Sequence, residues 1–121
     1  SGNDCIDFSF GIYLISEAYL NKCKDKAISV GEKSIFLGKN INAQNSEIGI
    51  ANKDSSDSYI NKISIKNVKN CLDNYKKKKE FELGRIFIVK KECNFSKVKN
   101  LNFILKEDFY SKFKDYEKAG I

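Results

Sequence analysis

Four cysteines, at positions 5, 23, 71 and 93, set the first constraint on how this chain folds. They are even in number, no two have C-x-x-C spacing, and the chain contains no histidine, so the common zinc-ligand patterns are absent and no metal site is expected. Two disulfides in an oxidising compartment are expected, against the alternative of four buried thiols in a reducing one. Four cysteines allow three connectivities. The local one is favoured, Cys5 with Cys23 and Cys71 with Cys93. Each loop, of about 20 residues, then adds roughly 3 kcal/mol by restricting the unfolded chain.

At 121 residues the chain is read as a single domain, 1–121, able to bury roughly two thirds of the surface its unfolded form exposes. No apolar run approaches the ~20 residues of a membrane-spanning helix, so no transmembrane segment is expected. Methionine is absent altogether. That fits an exported chain, periplasmic or secreted, whose signal peptide has been removed, or a tag remnant at Ser1-Gly2-Asn3.

Periodicity predicts mixed elements. Residues 6–14 alternate Ile6, Phe8, Phe10, Ile12 and Leu14 with Asp7, Ser9, Gly11 and Tyr13, which predicts a strand. Phe8, Ile12, Ile15 and Tyr19 also fit one helical face, and a helix is expected from Glu17 towards Cys23, capped by Ser16. Short strands are predicted at 34–38 and 47–51, with 39–46 as a turn-rich connection and 52–58 as a polar loop. Residues 59–65 begin as a strand. From Ile65 onward, Val68, Leu72 and Tyr75 follow helical spacing, so a lysine-rich helix over 65–79 is expected. Further strands are predicted at 80–92 and 101–107, then a helix from Phe109 to Lys118, capped by Asp108 and stopped by Gly120. The expected fold class is α+β, a small, mainly antiparallel sheet with two or three helices packed on it. No internal repeat is evident; the likeness of 18–22 (AYLNK) to 58–62 (SYINK) reads as chance in a chain so rich in Lys and Asn.

The available chemistry is sparse. Without histidine there is no Ser-His or Cys-His nucleophile pair, and neither Gly-rich phosphate-loop pattern occurs. Glu80 and Glu82, two apart on the predicted strand 80–92, would share a face at about 6.5–7 Å, a separation compatible with an inverting glycosidase. The better reading makes them the solvent side of a half-buried strand, with Phe81 and Leu83 facing in. No catalytic residue and no cofactor is therefore assigned.

Charge is unevenly placed. The chain carries 22 basic residues, 21 of them Lys with Arg85 alone, against 16 acidic ones. Abundant Lys, Asn and Ile fit A/T-rich codons, which discounts the basic balance, and Arg, the residue suited to bidentate phosphate recognition, is nearly missing. Residues 1–20 carry three acidic and no basic residues, whereas 62–79 hold seven Lys against Asp73. The candidate binding residues are Lys66, Lys69, Lys76, Lys77, Lys78 and Lys79, with an acidic protein as the expected partner. The expected function is a non-catalytic exported protein-binding domain, such as an inhibitor or a toxin-immunity protein. The alternative is a cytosolic nucleic-acid or polyanion binder using the helix 65–79.

Overall fold

Ile6, Ile28, Ile50 and Leu72 lie one above another, each 22 residues after the last. That column is the axis of the architecture. The computed structural model describes residues 3–93 and 98–119, which wind into a β-solenoid. Its strands are β1 (Ile6–Phe8), β2 (Ile12–Asn21), β3 (Lys26–Val30), β4 (Ile35–Lys53), β5 (Asp57–Tyr75), β6 (Arg85–Glu92) and β7 (Leu101–Phe103), and a single helix follows, α1 (Lys106–Lys118). Every strand pairing is parallel.

Each full coil has three straight stretches joined by corners. The first stretch stacks Ile12, Ile35, Asp57 and Arg85; the second stacks Glu17, Asn40, Lys62 and Lys90; the third stacks Lys26, Ile48 and Asn70. The corner between second and third stretches holds Lys22, Asn45 and Asn67 at φ 55°, 56° and 53°, the left-handed conformation that turns the chain sharply. Phe10, Lys33 and Ser55 do the same between third and first stretches, at φ 49°, 50° and 61°.

This overturns the expected α+β class with its antiparallel sheet and two or three helices. The 65–79 segment is strand to Tyr75, not helix, and 12–21 is strand, not a helix capped by Ser16. The predicted pair 34–38 and 47–51 is one bent strand, β4. The physical reason is the corner. A left-handed residue resets the in-out alternation, so apolar positions on its two sides, such as Ile65, Val68 and Leu72, fall three and four apart as they would on a helix. Residues 80–84 precede β6 rather than belong to it, so Glu80 and Glu82 are not strand neighbours. The predicted strand 101–107 gives way to helix at Lys106. Residues 18–22 and 58–62 are not equivalent places in the coil: Ala18 stacks on Ile41, while Ser58 stacks on Phe36.

Inside the coils, Phe36, Ile41, Ile60, Ile63, Ile86 and Ile88 are all but sealed from solvent. Full burial of one such side chain is worth roughly 1.5–3 kcal/mol. Two buried asparagines share the interior. Asn52 donates to Asn74 Oδ1 (3.1 Å) and to the Ser56 carbonyl (2.8 Å), accepts from Ser58 Oγ (2.8 Å), and Asn74 in turn donates to the carbonyls of Gly84 (2.8 Å) and Lys99 (2.9 Å). With their amides satisfied, these groups hold the coil-to-coil spacing at little cost. A side chain at Gly84 would collide with the Ser56 carbonyl oxygen, so glycine lets the loop 76–84 close here.

The disulfides pair as expected. Cys5 is bonded to Cys23 and Cys71 to Cys93, at sequence separations of 18 and 22. The first ties the chain before β1 to the turn after β2, and the second ties β5 to the turn after β6. Each closes a coil at one end of the solenoid. Helix α1 lies outside the solenoid on the first stretches, where Phe109 and Phe113 pack on Leu37 with Ile12, Leu14, Ile35, Tyr59 and Val89 around them. Its N-cap is Leu105, without a side-chain cap; Asp108 sits in the first turn with Glu107, where carboxylates suit the helix dipole. Gly120, the expected helix stop, and Ser1 and Gly2 lie outside the described residues.

Candidate functional site: the open side face

The second stretches build a different surface. Ala18, Ile41 and Ile63 point inward and are buried, and Leu20, Ala43 and Ile65 follow them. Alternation then forces their neighbours outward. Those neighbours stack in three columns: Glu17, Asn40, Lys62 and Lys90; Tyr19, Asn42, Ser64 and Glu92; Asn21, Gln44 and Lys66. Tyr19, 75% exposed, heads the middle column on the outermost rung of this face. Two shallow clefts flank it, of about 230 Å³ towards Gln44 and Lys66 and about 300 Å³ towards Glu17, Asn40 and Lys62. They share Tyr19, Asn42 and Ser64.

Electrostatics on the face are partly neutralised. Glu92 lies 3.4 Å from Lys90 Nζ and 3.6 Å from Lys62 Nζ, and accepts a hydrogen bond from Ser64 Oγ at 3.2 Å. Lys90, then Lys62 and the Ser64 hydroxyl, hold its carboxyl below the usual range. Beyond Lys66 the chain turns at Asn67, whose amide donates to Asn45 Oδ1 (2.6 Å), as Asn45 donates to Asn21 (2.8 Å). This amide ladder fixes the edge of the face. Past it lies a wider hollow of about 590 Å³ lined by Lys22, Lys24, Glu47 and Lys69.

The six lysines singled out in the sequence are not brought together. Lys66 is on the open face, and Lys69 is around the corner, 3.6 Å from Glu47. Lys76, Lys77, Lys78 and Lys79 lie beyond the far end of the third stretch. Seven residue steps along β5 and just past its end separate Lys69 from Lys76, about 23 Å. The backbone N–H groups of Lys77 and Lys78 donate to Asp54 Oδ1 (2.6 and 3.1 Å), and Lys78 Nζ reaches Glu32 at 3.0 Å, which raises the ammonium pKa. In the same loop, the Glu82 N–H donates to Ser55 Oγ at 2.8 Å. The run is a tethered loop along one corner, not a basic helix face.

On the third face burial lowers the Lys53 ammonium and raises the Tyr75 hydroxyl. Lys26, which burial alone would lower, is raised by its 2.6 Å contact with Asp25 and by the nearby Tyr75 and Asp4. Among the described residues no three His, Cys, Asp or Glu side chains converge as a metal site. No described helix is long and apolar enough to cross a membrane.

Sequence patterns do not point to Tyr19, Asn42 or Ser64, because local spacing puts Asn42 in a turn and Tyr19 on a helical face. The signal that finds them is the coil length: 19, 42 and 64 are 23 and 22 residues apart. No family model matches the chain, and no curated protein or solved structure matches it.

Proposed function

We propose that the chain is a non-catalytic protein-binding module of the periplasm or the extracellular space, and that the open side face is its recognition surface. Two disulfides are more typical of an extracellular protein. The observation that carries the reading is the exposed Tyr19 set among Asn40, Asn42, Gln44 and Ser64 on rigid strands. Tyr, Ser and Asn are the residue types that dominate antibody recognition loops, where they supply contact area and adaptable hydrogen bonds at low entropy cost. Small-molecule sites are concave and mostly apolar, whereas these clefts are shallow and the one beside Glu17 and Lys62 is mainly polar. Five residues across and four coils deep, the face measures roughly 16 by 14 Å. That suits one protruding segment of a partner better than a domain-sized patch of about 800 Å². Lys66, without an ion pair among the described residues, favours an acidic segment. An inhibitor or an immunity protein would work in this way, by occupying its partner.

The polyanion reading has less support. The lysines it relies on are spread over two corners about 23 Å apart, and Lys69 and Lys78 are in ion pairs. Binding to proteins of the surrounding compartment, compared between the disulfide-intact chain and Tyr19→Ala, separates the two. Saturable capture of one species, weakened more than tenfold by Tyr19→Ala, supports the face. Equal capture by both proteins, or retention on heparin that falls steeply with salt, removes it.

A further inference from the structure

The first coil differs from the rest. Among the described residues strands β1 and β2 each pair on one side only, with β3 and β4, and no strand pairs with their other edge. Ile6, Phe8, Tyr13 and Leu20 are half-buried, while the residues stacked on them, Ile28, Val30, Phe36 and Ala43, are at most 4% exposed. The apolar interior is therefore open at this end, beneath a ten-residue strand edge with free backbone donors and acceptors. Phe10, 61% exposed, stands at its rim. Proteins usually cover or charge such an edge, because it is a template for pairing with another chain.

The opposite end complements it. Among the described residues strand β7 pairs with β6 alone, and Phe103 at its end and Leu105 just beyond it are each 66% exposed. Charge distinguishes the two ends. Residues 3–23 carry Asp4, Asp7 and Glu17 against Lys22, with Asp4 lying 3.8 Å from Lys26, and the described residues of 85–103 carry Arg85, Lys90, Lys91 and Lys99 against Glu92. Two acidic ends would repel each other, whereas an acidic end and a basic end attract. We infer that copies of this chain stack head to tail, the free edge of β2 in one copy continuing the first-stretch column that ends in β7 of the next. All strands in such a stack stay parallel. The contact joins two different surfaces, so it does not close on itself and yields linear assemblies rather than a sealed dimer. The inference is independent of the ligand of the open face.

Sedimentation velocity on the disulfide-intact chain at low salt tests it. Average mass should rise with protein concentration and fall on adding salt, as the end charges are screened. Phe10→Asp and Phe103→Asp should each hold the protein at low mass. Both positions are exposed, and aspartate tolerates the left-handed backbone at position 10 (φ 49°) better than phenylalanine does. Circular dichroism of each variant checks that it is folded. A mixture of the two variants should form a one-to-one dimer and nothing larger, because each keeps the end the other lacks. A chain that is monomeric at every concentration overturns the inference. So does undiminished self-association of Phe103→Asp, which would mean pairing through two heads, and so does a mixture that stays monomeric.

Discussion

Two faces of the same solenoid, built by the same strands, have opposite fates. Strand β4 contributes Ile35 and Leu37 to the outside of the first stretch and Asn40, Asn42 and Gln44 to the outside of the second. The apolar pair is roofed by Phe109 and Phe113 of α1; the polar trio is left to solvent with Tyr19 and Lys66. A parallel solenoid can bury its inward side chains completely, so its outward residues are free to be chosen for something else. Here one face was made apolar and covered from within the chain. The other was made polar, flat and bare. The first face is packed into the fold, and the second is the one proposed for recognition.

The contrast is sharpest at Phe109. Phe109→Ala should destabilise the fold by about 3–5 kcal/mol in urea unfolding, by emptying the space beneath the roof. A loss below ~1 kcal/mol would mean that α1 is only loosely held. At the margin of the covered face, Arg85 makes a two-pronged pair with Asp57 (3.0 and 2.8 Å) and lies over the Phe87 ring at 5.3 Å. Asp57 raises its pKa, so the guanidinium stays charged at any working pH. Arg85→Ala should cost about 1 kcal/mol, less at high salt, in the same assay. On the bare face, Tyr19→Ala should change stability by no more than ~0.5 kcal/mol while weakening partner binding. A large stability loss there would make Tyr19 a structural residue and erase the comparison.

The smallest effect is a titration. Lys90, Lys62 and Ser64 depress the folded pKa of Glu92 below 4.5. A depressed carboxyl stabilises the fold fully above its ordinary pKa, and that contribution is lost as the pH falls through the lowered value. Side-chain NMR should find Glu92 titrating below 4.5, and Lys90→Met should move it upward, towards the ordinary value. An unchanged midpoint in Lys90→Met would mean that the lysine does not hold this carboxylate in solution.

Much of the local pattern was legible. The strand into Glu92, the last helix and the disulfide pairing follow from apolar period and cysteine spacing, whereas the alternation over 6–14 is broken by the left-handed Phe10, which leaves Ile6 and Phe8 facing the interior and Ile12 and Leu14 facing α1. What stayed hidden was the 22-residue repeat. It is carried by a small residue followed by an aliphatic one, Cys5-Ile6, Ala27-Ile28, Gly49-Ile50 and Cys71-Leu72, and almost nothing else recurs. Inward positions need only size and apolarity, and outward ones need neither, so identity drifts while register holds. The open face was hidden for a second reason. Asn45 and Asn67 look like turn residues, and they are; each turns a strand that continues on the far side, which short-range patterns cannot distinguish from a strand that ends.

Stacked-coil proteins come apart from their ends, because a terminal coil has a neighbour on one side only and frays first. The two disulfides sit in those two coils. Apart from β7 and α1, which follow Cys93, unravelling cannot start at an end and must open an interior coil held on both sides. Proteases attack chains that have transiently opened, so these staples should lengthen the molecule's working life far more than they raise its melting temperature. Mild reduction would then act as a timer, turning a long-lived scaffold into one that is soon degraded.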